Sequence, residues 1–172
     1  MNDDLMSLPL RELLEKFAAG KHKPGSGSAA ALLGLISAAL SRTVIALTID
    51  KPQYDDVRSE LQEISSEIEV KIQPSLEQAF EKDSILFDKV IKSRIFRNEA
   101  ADHAEWWRRS HESLSKLDAA SAIALDIARK SIRLTELAII VFDKGFNPLR
   151  VIQRSQLRQP FQARRELFPS ST

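Results

Sequence analysis

The chain has 172 residues, with 25 lysines and arginines against 24 aspartates and glutamates, so its formal net charge is +1. A general nucleic-acid binder would normally carry a basic surplus, and this balance argues against that class. The absence of cysteine excludes disulfides, thiolate metal sites and a cysteine nucleophile. The hydrophobic share of 43% is enough for the core of one domain. The N-terminal sequence MNDDLMSLPL lacks the layout of a signal peptide, so a cytoplasmic location is expected.

The first two predicted helices flank a glycine-rich loop. A short leucine-rich helix ends at Gly20, and a loop over residues 21–27 leads into a second helix at Ser28. Over residues 29–49 the only charge is Arg42. That length could span a membrane, but its serines, threonines and arginine favour a helix buried on all sides in a soluble bundle. Small residues spaced by four predict a close approach by another helix, along Ala30, Gly34 and Ala38.

The rest of the chain also has helical periodicity. A third helix is predicted over residues 55–72, with an apolar stripe that consists of Val57, Leu61, Ile64, Ile68 and Ile72. Pro74 begins a fourth. The apolar stripe of the fourth helix consists of Leu76, Phe80, Phe87 and Val90. Residues 106–144 contain no glycine or proline, which predicts one long helix or two, ended by Gly145. No strand-like alternation of useful length occurs, so the fold class is all-α, a bundle of about five or six helices with the Ala/Gly-rich helix at its centre.

The glycine-rich loop permits two interpretations. Glycines let backbone N–H groups approach a ligand, and a helix N-terminus attracts a carboxylate or phosphate. Lys21 and Lys23 would strengthen such an anion site. The alternative is a tight turn with Ser28 as the helix cap, and the short pattern alone favours this alternative.

Asp83 lies on the apolar stripe of the fourth helix, between Phe80 and Phe87. A carboxylate in that position is either a structural ion-pair partner or a catalytic acid or base with a raised pKa. The residues alone leave these two roles equally open.

Histidine and tryptophan provide weaker signals. His22, His103 and His111 are too scattered to predict a metal site, and surface positions are expected for all three. Trp106 and Trp107 are adjacent, so on a helix they point about 100° apart and cannot form one stacking platform. No metal site and no nucleic-acid site are predicted.

Three segments resemble a known family. The stretch LRELLEKFAAGKHKPGSGSAAALLGLISAALSRTVIALTIDKPQY looks like the opening of the formiminotransferase-cyclodeaminase C-terminal family, which includes methenyltetrahydrofolate cyclohydrolases. That opening is typically a short Leu-rich helix, a Pro-Gly-Gly-Gly-Ser loop, an Ala/Gly-rich helix, then Leu-Thr-x-Gly-Lys and a Tyr. The segment EKDSILFDKVIKSR is similar to the family's Asp-x-x-Ala-Phe-x-x-Val helix, with Asp83 on the family's acid. KLDAASAIALDIARKSIRLTELA resembles its later Ala-rich helix.

The resemblance implies an all-helical homodimer that binds a tetrahydrofolate derivative as substrate, without a metal or a covalently bound cofactor. Members release ammonia from formiminotetrahydrofolate, or hydrolyse methenyltetrahydrofolate to the formyl form. Carried over residue by residue, it implies that Asp83 is catalytic. The implied substrate-binding residues are Lys21, Pro24, Gly25, Ser26, Gly27, Ser28, Thr48, Lys51 and Tyr54.

The sequence also departs from the family pattern. Ser26 replaces the middle glycine of the loop, Ala46 stands where asparagine is common, and Asp50 stands where glycine precedes lysine. Ala124 replaces a usual proline. These departures leave a second hypothesis open, that of a non-catalytic helical homodimer that binds folate or acts as a scaffold.

The strongest departure is the C-terminal segment. Residues 1–150 have the pattern of a cyclodeaminase/cyclohydrolase-like helical domain, whereas residues 151–172 form an atypical polar tail rich in Gln, Arg, Pro and Ser. With free choice of codons, a one-base shift converts that tail into an acidic turn and a small-residue helix, as the family would have. One hypothesis is therefore a single-base deletion near Arg150, which would remove a core helix. The alternative is a natural variant with a polar tail, and the nucleotide sequence of the gene distinguishes the two.

Overall fold

The structure is a computed structural model that describes residues 5–146. Its α-helices are α1 (Leu10–Ala18), α2 (Ser26–Ile49), α3 (Arg58–Glu67), α4 (Gln73–Asn98) and α5 (His103–Lys144). Short 3₁₀ turns cover Leu5–Ser7 and Pro52–Val57. The described part of the chain contains no strand, so the all-α prediction is confirmed there. The predicted polar tail, residues 151–172, and the deletion hypothesis lie outside the described residues.

Helices α3 and α4 form one continuous helical rod. A π-helical turn, Ile68–Ile72, joins them directly, and Pro74 lies in the first turn of α4. The start of the fourth helix agrees with the prediction to within one residue, but no break precedes it, because proline in a first helical turn removes only an N–H that need not be paired. The rod buries the predicted residues Leu61, Ile64, Ile68, Ile72, Leu76 and Phe80.

The rod packs closely on α2 at Gly34. A Cβ at Gly34 would lie 2.9 Å from Leu76 Cδ1, so no side chain fits there without a shift. Gly34 and Ala38 are buried as predicted, but Ala30 is exposed and Ala31 is buried in its place. The reason is that a helix repeats every 3.6 residues, so a strict spacing of four drifts away from the contact.

Helix α2 is buried on one side only, and the prediction of burial on all sides is wrong. Leu33, Leu40 and Leu47 are 67%, 62% and 50% exposed. In its most apolar window, of mean hydropathy 1.9, 28% of the residues are buried. By length and composition α2 is able to cross a membrane, a test that the core helix of a soluble protein also passes.

Helix α5 is a single helix of 42 residues. It runs parallel to α2, since its last turn reaches the C-terminal end of α2: a Cβ at Gly145 would lie 3.1 Å from Val44 Cγ1. Its exposed apolar side chains repeat every seven residues, at Leu125, Ile132 and Ile139, with Phe142 beyond them. Two neighbouring helices therefore each leave an apolar stripe exposed. Phe87 of α4, predicted to be buried, is also 40% exposed.

Candidate active site

The first turn of α2 and the middle of α4 meet at a hydrogen-bonded carboxylate. The backbone N–H of Ser28 donates to Asp83 Oδ2 over 2.8 Å. The Ser28 hydroxyl lies 3.2 Å from the same oxygen and 3.0 Å from the carbonyl oxygen of Phe80. Ser28 is fully buried and Asp83 is half-buried. The anion at this helix N-terminus is therefore a carboxylate of the chain itself, where the partial positive charge of the helix stabilises it.

The alternative interpretation of the loop, with Ser28 as a helix cap, is wrong. Helix α2 begins two residues earlier, at Ser26, with Gly25 as the N-cap residue. The Ser28 side chain therefore points across to α4 rather than back to its own helix. Within residues 5–146 no lysine or arginine forms an ion pair with Asp83, so its partners there are the amide and hydroxyl of Ser28.

Gly27 allows this contact because it has no side chain. A Cβ at position 27 would overlap the Asp83 carboxylate, whereas a Cβ at Gly25 would lie 3.7 Å from Asp83 Oδ2, an ordinary contact distance. Asp83 Oδ1 lies against Gly27 and accepts no hydrogen bond within the described range 5–146. One carboxylate oxygen is thus held by Ser28, and the other keeps its capacity to accept a hydrogen bond as far as residues 5–146 are concerned.

Substitution of Gly27 by alanine tests this packing. Glycine to alanine inside a helix normally stabilises it by up to about 1 kcal/mol. We expect the opposite sign for Gly27→Ala, a loss of about 1–3 kcal/mol in the free energy of unfolding, because the new methyl group displaces Asp83. Urea denaturation followed by circular dichroism measures this. Gly25→Ala is the matched control, and equal stabilities of the two variants contradict the packing.

Three of the other predicted site residues lie at the far end of α2. Thr48 is about 30 Å from Ser28 along the helix axis, at 1.5 Å per residue. Its buried hydroxyl donates to the carbonyl of Val44 and accepts from the N–H of Phe146, both over 2.7 Å. Lys51 Nζ lies 4.2 Å from the centre of the Phe146 ring. The structure therefore does not bring the two ends into one site within a protomer.

Tyr54 belongs to the same distant group. It lies in the 3₁₀ turn Pro52–Val57, and its backbone N–H donates to the carbonyl of Lys51 over 3.0 Å. Its side chain is half-buried.

A cleft of about 720 Å³ is lined by the loop that leads into α2 and by Asp88 of α4. Its lining includes Lys21, Lys23 and Pro24, so these predicted residues lie next to the glycine-rich loop, and Lys16 adds a further cation. Its lining also includes His22 and Asp88, whose side chains are 3.1 Å apart. These two residues are separated by 66 positions, and the sequence alone contains no signal that pairs them.

A second cleft, of about 590 Å³, follows the side of α2 toward its C-terminal end. Arg42 lines it and bonds to Gln73 and Glu69 across the rod. It contains none of the predicted site residues. Among residues 5–146 no group of three or more histidine or carboxylate side chains is placed to hold a metal ion.

Comparison with known proteins places the chain in a family. No curated protein matches it. Its fold is similar to the crystal structure of formiminotetrahydrofolate cyclodeaminase from Thermotoga maritima, with a TM-score of 0.51 and 23% identity, covering 81% of this chain and 75% of that one. At that identity the match shows the fold alone. The sequence model described as Formiminotransferase-cyclodeaminase matches residues 9–150, most of the chain. The chain therefore belongs to the formiminotransferase-cyclodeaminase family.

Proposed function

We propose that the protein is a folate-dependent one-carbon enzyme of the cytoplasm that releases ammonia from formiminotetrahydrofolate or hydrolyses methenyltetrahydrofolate. The observation that carries this proposal is the Asp83 carboxylate, fixed by Ser28 at the N-terminus of α2 with its second oxygen open. Family membership supports the substrate class.

The chemistry of the substrate suits such a carboxylate. The methenyl carbon is bonded to two nitrogens and carries positive charge, so a negative oxygen stabilises it as the charge develops. The open oxygen of Asp83 is also able to accept a proton from an attacking water or amine. Because the backbone N–H of Ser28 donates to the other oxygen, the carboxylate keeps one orientation during these steps. Asp83 therefore serves as the catalytic base and electrostatic partner.

The amides at the start of α2 supply further donors. Within the described residues the backbone N–H groups of Ser26 and Gly27 have no acceptor, because the first residues of a helix lack a partner four positions earlier. Lys21 and Lys23 lie on the adjoining loop. We assign these groups, with Pro24 and Gly25 as the wall, to binding a polar part of the folate.

The exposed stripes support a homodimer. Leu33, Leu40 and Leu47 are spaced by seven on α2, the interval that helices use when they pack along a seam. A second exposed apolar stripe with the same spacing lies on α5, which packs against α2. A soluble monomer rarely exposes such a surface. A second copy, related by a two-fold axis, would cover it with the same residues.

The spacing along α2 also supports a shared site. Leu40 is the middle residue of its stripe, so we place the two-fold axis there, with the two α2 helices antiparallel. Ser26 lies 14 residues before Leu40 and Tyr54 lies 14 residues after it. Such an axis would bring Lys51 and Tyr54 of one subunit to the Asp83 end of the other, while Thr48 stays inside its own protomer, where its buried hydroxyl bonds to Val44 and Phe146. Each dimer would contain two such composite sites.

Turnover by the purified full-length chain tests the proposal. Methenyltetrahydrofolate absorbs in the near ultraviolet, so hydrolysis removes this absorbance and ammonia release from formiminotetrahydrofolate generates it. We expect one of these changes at a rate above that of buffer alone. Folate binding without either reaction contradicts the proposal and supports the hypothesis of a non-catalytic dimer.

A further inference from the structure

His22 and Asp88 form a hydrogen-bonded pair that the proposed roles leave unused. His22 Nε2 lies 3.1 Å from Asp88 Oδ1, and Lys92 Nζ lies 2.7 Å from Asp88 Oδ2. His22 belongs to the loop between α1 and α2, whereas Asp88 follows Asp83 by five residues on α4. The pair therefore ties the loop to the helix that carries Asp83.

The pair lies in the wall of the 720 Å³ cleft, whose lining ends at Pro24, the residue before Gly25. A Cβ built on Gly25 lies 3.6 Å from the carbonyl oxygen of His22 and 3.7 Å from Asp83 Oδ2. The main chain of His22 and the Asp83 carboxylate therefore lie on two sides of a single residue, Gly25. A cleft of this volume is in the range that encloses a small organic ligand.

Asp88 is suited to orient the imidazole of His22. Hydrogen bonds from Lys92 and His22 hold the pKa of the Asp88 carboxyl below its usual value, so the group remains a charged acceptor. An imidazole that donates Nε2–H to this carboxylate has Nδ1 left to exchange a proton with a ligand. A histidine oriented by a carboxylate is an arrangement that enzymes use for acid–base catalysis.

We propose that His22, oriented by Asp88, is the catalytic acid that protonates the departing ammonia, a role that rests on the proposed function. The substrate carbon begins as a protonated formimino group. The second folate nitrogen bonds to that carbon and gives its proton to Asp83. The bond from the carbon to the amino nitrogen then breaks, and its electron pair stays on the nitrogen. The His22 imidazolium supplies the proton that makes this nitrogen ammonia, and the folate keeps the positive charge as the methenyl form.

Other charged groups surround the pair. Among residues 5–146 those that line the cleft or bond to the pair are Lys16, Lys21, Lys23, Asp88 and Lys92. If the rate of the wild type changes between about pH 5 and 8 and the change is lost when His22 is substituted, the change is attributable to His22.

The test compares His22→Gln with His111→Gln, an exposed histidine on α5. We expect His22→Gln to lower kcat for ammonia release by about 10²- to 10⁴-fold with little change in KM. It should also remove the fall in rate that accompanies loss of the imidazole proton as the pH rises. Asp88→Asn should lower kcat in the same direction but less, because it misorients the acid without removing it. His111→Gln should behave as the wild type.

A second measurement does not depend on turnover. The imidazole ¹⁵N resonances are recorded by NMR while 5-formyltetrahydrofolate, a stable folate, is added to saturation. We expect the resonances of His22 to shift and those of His103 and His111 to stay. This proposal alone is overturned if the His22 resonances do not move when the probe binds. It is also overturned if the His22→Gln variant retains the wild-type kcat and pH profile. A wild-type protein that neither binds the probe nor releases ammonia overturns the proposed function as well.

Discussion

Asp83→Asn should lower kcat by about 10²- to 10⁴-fold, the range of a lost general acid or base. The amide oxygen of asparagine can still accept from the N–H of Ser28, so the fold and KM should remain close to those of the wild type. The open position loses its negative charge and its ability to take a proton. Continuous absorbance assays with methenyl- and formiminotetrahydrofolate, alongside circular dichroism, measure both effects.

Asp118→Asn is the matched control for that substitution. Asp118 is exposed on α5, far along the sequence from the contact with Ser28. The same chemical change there should leave kcat unaltered. If the Asp83→Asn variant is folded and retains the wild-type kcat, Asp83 is not a catalytic residue. The proposed function then loses the observation that carries it.

Two inactive variants should restore activity when they are mixed. Asp83→Asn disables one end of the composite site and Lys51→Ala disables the other. In a dimer of one subunit of each kind, one site receives both substitutions and the other receives neither. Free exchange of subunits makes about half of the dimers mixed, so the mixture should regain about a quarter of the wild-type activity. Turnover is measured before and after the subunits are exchanged under mild denaturation.

Leu40→Glu is the control that separates dimer formation from site chemistry. A charge at the centre of the exposed α2 stripe should leave the protomer folded, because Leu40 is 62% exposed within it. It should block pairing, and light scattering should then report a monomer. If the wild type is a dimer and the mixture of the Asp83 and Lys51 variants stays inactive, the shared site is contradicted. If the wild type is a monomer, the dimer itself is contradicted.

The sequence predicted the elements well because their signals are local. The stripe from Leu61 to Ile72 and the stop at Gly145 both depend on neighbouring residues, and the structure agrees with them. Pro74 suggested a break between the third and fourth helices because proline often interrupts a helix. Proline also fits the first turn of a helix, and here the preceding π-helical turn joins α3 to α4 without a break.

The exposure of α2 could not be predicted in the same way. A helix that is apolar on every side has no polar face to indicate solvent, so its sequence fits burial in a core, in a membrane or against a second subunit equally well. Leu40 and Ala38 are both apolar, yet the first is exposed and the second buried. Which apolar face the protomer itself covers depends on the docking of α4 and α5.

The sequence indicated the individual residues of the candidate site but not the contact between them. The glycine-rich loop permitted either a site for an anion or a tight turn capped by Ser28, and Asp83 stood out as a charge on an apolar stripe. Nothing local joins them, because Ser28 and Asp83 are 55 residues apart in the chain. Neither interpretation of the loop therefore included the contact that the structure has, between the Ser28 amide and a side chain of the protein.

The contact between Gly34 and Leu76 sets the register of the whole rod on α2. Leu76 precedes Asp83 by seven residues, close to two helical turns, so both project toward α2 from the same face of α4. A slip of one turn would shift the carboxylate by about 5.4 Å, beyond the reach of the Ser28 amide. Leu76 fits only where α2 has no side chain, and Gly34 is the position in contact with it. Gly34, a core glycine that does not contact Asp83, thus helps to set the position of the Asp83 carboxylate along α2.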